Sequence, residues 1–118
     1  TTLDYPMVMD TFGCTPKFIK ENGKLAQAMV NSYFEALDMI KKEPAKSNEI
    51  MGSVVKQTGE AFAKSAAFLR WQDKEANKKF FSGEIQAFSK EAGDLLVELG
   101  LVKTLPDLNS LVDTSFIK

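Results

Sequence analysis

The chain has no histidine and one cysteine, Cys14. Without histidine it lacks the commonest metal ligand and the one side chain whose ordinary pKa suits general-base work near neutrality. Zinc centres and Ser-His or Cys-His nucleophilic machinery are therefore excluded within these 118 residues. A lone cysteine permits no internal disulfide. Cys14 follows Thr11, Phe12 and Gly13 but no apolar leader that would make it a lipid attachment point, so an ordinary buried thiol is expected. Neither sign of charge dominates. Fifteen basic residues against sixteen acidic ones leave a net charge of −1, which gives no global field to recruit nucleic acid or an anionic membrane. No apolar run approaches the ~20 residues of a membrane span. The start at Thr1, with no methionine and no charged or apolar leader, reads as a cut or processed end. Low-complexity segments, internal repeats and linkers are also missing, and no catalytic constellation or cofactor motif is found. The expectation is a non-enzymatic chain without a cofactor or metal.

What is there is a helix-forming pattern. At 44% apolar residues the sequence can build a core for one domain. Its centre is residues 24–42, where Leu25, Ala28, Met29, Ser32, Tyr33, Ala36, Leu37 and Ile40 recur at intervals of three and four. Alanine, leucine, methionine, lysine and glutamate favour the helix locally as well. Pro44 must close it, because its ring cannot continue the ladder and it restricts the residue before it.

Around this helix the chain divides by its caps. Tyr5, Pro6, Met7, Val8 and Met9, followed by Thr11 and Phe12, read as one buried strand over about residues 7–12. A lone strand leaves its ladder groups unpaired, so its neighbours are expected in another chain or another segment. Thr15 and Pro16 open a short helical turn through Phe18 and Ile19, which Asn22 and Gly23 end. Pro44 opens a helix over 44–56 with Ile50, Met51, Val54 and Val55 inside. Thr58 caps a helix over 60–69, with Ala61, Phe62, Ser65, Ala66 and Leu69 inward. Asp73 caps another over 73–81, and Ser82 a last one over 84–99, where Ile85, Phe88, Ala92, Leu95, Leu96 and Leu99 repeat the spacing before Gly100. Leu108, Leu111, Val112 and Phe116 read as anchors of a docked tail.

The run from Tyr33 through Phe34, Glu35, Ala36, Leu37, Asp38, Met39 and Ile40 to Lys41 and Lys42 continues with Pro44, then Asn48, Glu49, Ile50 and Met51, then Glu75 and Asn77. This succession resembles the carboxyl-terminal part of a substrate-binding protein of an ABC importer. The closing run, Leu95, Leu96, Val97, Glu98, Leu99, Gly100, Leu101, Val102 and Lys103, with Pro106, Asp107, Leu108 and then Asp113, Thr114, Ser115 and Phe116, is similar to the end of the nitrate, sulfonate and taurine group, which includes relatives of the thiamine-pyrimidine synthases. The likeness runs from about Val8 onward and covers the last third or so of a typical member.

That resemblance implies a bilobed α/β binding protein of the type II periplasmic kind, of which residues 1–118 would be a mostly helical C-terminal segment with one N-terminal strand. It implies a small solute such as nitrate, a sulfonate or taurine, delivery to an ABC permease, a periplasmic or extracytoplasmic place, and N-terminal lobe segments supplied by the rest of the protein. The synthase activity of the related enzymes depends on a histidine that this chain lacks. Tyr5, Asp10 and Thr11, at the expected crossing strand, are the candidate ligand contacts, against plain roles in packing for Tyr5 and in a solvated strand end for Asp10. Trp71 could stack on a solute or anchor a core. Lys17, Lys20 and Lys24 could meet an anion or form a solvated face. The alternative to a solute-binding component is a free-standing helical domain acting by protein–protein contact.

Overall fold

The computed structural model describes residues 9–118 and is helical from Pro16 onward. Residues 9–14 run as coil to Thr15, whose hydroxyl accepts the N–H of Phe18 at 3.1 Å while Pro16 takes the first helical position. Helix α1 then spans Pro16–Lys42. Asn22 and Gly23 do not end it as their types predict. Asn22 leaves helical geometry at φ −133° and ψ 35°, which makes a kink, and the helix resumes.

The other boundaries follow local chemistry. Glu43 donates its N–H to Met39 O at 2.8 Å, and Pro44 opens α2, Pro44–Val54. Lys56 turns the chain at φ 59°, and Thr58 caps α3, Gly59–Ala66, by accepting the N–H of Ala61 at 3.2 Å. Asp73 caps α4, Lys74–Lys79, through the N–H of Ala76 at 3.0 Å. A π-helical turn, Phe80–Glu84, joins α4 to α5, Ile85–Glu98. Ser82 caps nothing; its hydroxyl donates to Lys79 O at 2.7 Å. Gly100, at φ 68°, supplies the left-handed residue expected after α5, and a 3-10 turn, Leu108–Leu111, follows.

No strand and no sheet occur among the described residues, so the expected bilobed α/β fold with its N-terminal strand is corrected to an all-helical arrangement. The part of the expected strand at residues 5–8 lies outside the described residues. Residues 9–12 have no partner ladder, and a solitary extended run without one stays coil.

Packing departs from the expected faces as well. On α1 Leu37 of the expected stripe is buried, as is Ala26 outside it, with Val30 and Phe34 half-buried beside them, while Leu25, Met29 and Tyr33 of that stripe are exposed. Helices α2 and α3 meet through their glycines. A Cβ on Gly59 would lie 2.9 Å from Glu49 Cγ and 3.0 Å from Glu49 N, and one on Gly52 would lie 3.0 Å from the carbonyls of Gln57 and Thr58. That close approach buries Ser47 and Gly52 and leaves Ile50, Val54 and Val55 outside. On α5, Ile85 and Gly93 are buried, but Leu95, Leu96 and Leu99 face solvent. Gln27 Nε2 donates to Phe116 O at 2.9 Å and ties the C-terminal tail to α1.

The result is an open helical layer. Its accessible surface is 9350 Å², against about 6,400 Å² for a compact monomer of this mass. Its radius of gyration is 16.8 Å, against about 13.5 Å for a compact domain of this length. Ala26, Leu37 and Ile85 are the only buried apolar side chains of the core among the described residues, and none of them is wholly closed off from solvent.

Candidate functional site

The best-organised polar cluster lies where α1 meets the coil leading into α4. Tyr33 Oη donates to Gln72 O at 3.0 Å, and Asn77 Nδ2 donates to the same carbonyl at 2.9 Å and to Asp73 O at 2.9 Å. Asp73 uses one carboxylate oxygen for the cap and turns the other to Lys41 Nζ at 3.4 Å. The N–H of Ala76 and then the Lys41 ammonium hold the Asp73 carboxyl below its ordinary pKa. A shallow groove of about 220 Å³ runs beside the pair, lined by Phe34, Leu37, Asp38, Lys41, Asp73, Lys74 and Glu75. Both charges remain at least half exposed, so the pair contributes little by itself. The groove offers opposite charges and one aromatic edge but no nucleophile held by a base.

A second hollow, about 310 Å³ and wide open, is framed by Phe12, Gly13, Cys14, Thr15, Phe18 and Met29. Its lining is mainly apolar, and Cys14 is half-buried in it. This is the region of the expected ligand contacts. Tyr5 lies outside the described residues; Asp10 and Thr11 are exposed in coil just before the hollow and are not among its lining. Lys17, Lys20 and Lys24 are exposed on α1, and none pairs with a carboxylate among the described residues. Trp71 is not a core anchor and lines neither hollow. It is 42% exposed on the coil between α3 and α4.

The Tyr33, Gln72 and Asn77 junction is invisible to sequence reasoning, because its shared acceptor is a backbone carbonyl 39 residues from Tyr33. Asp73 alone carried a signal, as a cap. Asp113 repeats that local chemistry in the tail: the Ser115 hydroxyl and then the Ser115 N–H lower its pKa. Among the described residues no helix is long and apolar enough to cross a membrane, and no three histidine, cysteine or acidic side chains gather into a metal-holding group. Compared with protein families, with curated proteins and with solved structures, the chain gives no match, so its functional reading rests on its own residues and packing.

Proposed function

We propose that this chain is part of the solute-binding component of an ABC importer, a protein that captures a small solute and delivers it to a membrane permease. The sequence motifs of α1, α2 and the closing run of α5 point to that class. The observation that carries the reading is the uncovered apolar surface of those same helices: Leu25 at 52% exposure, Met29 at 42% and Leu99 at 62%. Faces of this size on helices whose periodicity prescribes burial belong to a larger packed body, which further segments of the same protein would supply. The two hollows described above are shallow and open, so on this reading those further segments would complete the solute pocket. Capture then means that the solute binds the loaded state more tightly than the empty one and so shifts the balance toward the form the permease recognises.

The test uses the product of the whole reading frame that encodes the chain. Thermal unfolding is followed with nitrate, sulfate, taurine and short alkanesulfonates in turn. At a concentration near 100 Kd, one of them should stabilise the protein by about 2.7 kcal/mol, seen as a raised Tm. A flat response to every solute, from a folded product, would overturn the reading. The absence of any strand among the described residues favours the second reading, a helical association domain, which predicts that flat response together with a stable complex with another protein.

A further inference from the structure

The coil between α3 and α4 presents four large side chains in succession: Phe68 at 78% exposure, Leu69 at 52%, Arg70 exposed, and Trp71 at 42%. Arg70 is the single arginine of the chain and Trp71 its single tryptophan. Such a run costs solvation free energy if nothing covers it, and one apolar residue after another is not what a surface loop usually carries.

The segment is held in place. Phe68 donates its N–H to Ser65 O at 3.2 Å and Leu69 donates to Ala66 O at 2.9 Å. Gln72 Nε2 donates back to Arg70 O at 3.4 Å, and Gln72 O is fixed by Tyr33 and Asn77. The four side chains are therefore displayed from a backbone that is tied at both ends, which lowers the ordering cost of association. Tryptophan and arginine are the residue types that most often dominate interface energetics.

Charge decides the kind of partner. Among the described residues no carboxylate lies within ion-pair distance of Arg70. The nearest acid along the chain, Asp73, is already taken by the α4 cap and by Lys41. Neither hollow described above includes any of the four side chains. A second copy of the chain is disfavoured too, because a two-fold contact centred here would bring two like-charged guanidinium groups together.

We propose that residues 68–71 form a docking surface for a partner protein whose contacting segment places a carboxylate beside aliphatic or aromatic side chains. The carboxylate pairs with Arg70 in a two-pronged hydrogen bond, and the apolar neighbours cover Phe68, Leu69 and Trp71. This inference does not depend on whether the larger protein binds a solute.

The probe is a displayed library of short random peptides, selected on the full chain and, in parallel, on R70Q. Selection on the native chain should enrich peptides that carry Asp or Glu next to apolar residues. The enriched peptides, added as synthetic compounds, should shift the emission of Trp71, the only tryptophan, to the blue in a saturable way. R70Q should weaken them about tenfold or more, equivalent to about 1.4 kcal/mol, with R70K between the two. Because Arg70 is exposed, R70Q should keep the native melting curve, which separates loss of docking from loss of fold. Three results would overturn the proposal: no enrichment, enrichment without an acidic residue, or equal binding by R70Q. A blue shift that follows the concentration of the chain by itself would also sink it, since a second copy would then be the cover.

Discussion

Leu105 closes over Gly93, so that a Cβ built on the glycine would run into the leucine's Cδ1 methyl. The colliding atom is the end of a flexible side chain that can swing aside, and alanine gains about 1 kcal/mol of helix propensity over glycine. G93A should therefore change global stability by less than about 1 kcal/mol, yet loosen the tail, seen as faster amide exchange over residues 105–111. At Gly59 the neighbours are Glu49 Cγ and the Glu49 backbone, which give way less readily than the end of a flexible side chain. G59A should cost about 1–3 kcal/mol in a denaturant melt, more than G93A does.

The buried stripe of α1 can be told from its exposed neighbour by paired truncations. Leu37 is 5% exposed and Leu25 is 52% exposed. Leu37→Ala should cost about 2–5 kcal/mol, whereas Leu25→Ala should stay within about 0.5 kcal/mol in the isolated chain. Equal losses in urea unfolding would mean that both stripes are buried in solution.

Gly83 sits in the π-helical turn at φ +153°, with nothing within 4 Å of where a Cβ would be. A substitution there meets open space but a backbone conformation that side-chain-bearing residues rarely adopt. G83A should lower stability by about 1–3 kcal/mol through backbone strain. S82A, one residue earlier and exposed, should be close to neutral. A Tm for G83A at or above that of the native chain would show that the joint between α4 and α5 has straightened into continuous α-helix.

Acid should act on Asp73 and Asp113 in the same sense. Both carboxyls are held below their ordinary pKa in the folded chain, Asp73 first by the Ala76 N–H and Asp113 first by the Ser115 hydroxyl. A group with a depressed folded pKa contributes stability above its unfolded value of about 3.9 and loses it as pH falls through the folded value. The double variant D73N/D113N retains side-chain oxygens that can accept the Ala76 and Ser115 N–H bonds. Its Tm should fall less steeply than that of the native chain below about pH 4. Parallel acid slopes for the two proteins would remove these carboxylates from the account.

The local boundaries were legible because their chemistry is local. Thr15, Thr58 and Asp73 cap helices with their own side chains, Pro44 opens one, and Gly100 takes the left-handed position after another. None of these needs a distant partner, so residue type and spacing are enough. The strand expectation failed for the opposite reason: a strand is defined by a neighbour's ladder, and residues 9–12 have none among the described residues. Of the candidate contacts, Asp10 and Thr11 depended on that strand and end in exposed coil. The Tyr33, Gln72 and Asn77 junction had no sequence signal at all, since its acceptor is main chain.

By itself the sequence determined that this is a helix-forming chain without histidine chemistry or an internal disulfide, cut into helices at named caps. Only the tertiary structure decided which face of each helix is covered. On α1 the rows through Leu25 and Met29 and through Ala26 and Leu37 lie on neighbouring strips of one cylinder, and either satisfies a period of three and four. The choice fell to what packs against α1, namely α2 and the C-terminal tail that Gln27 holds through Phe116 O. Periodicity sets that a stripe is buried; steric fit between helices sets which one.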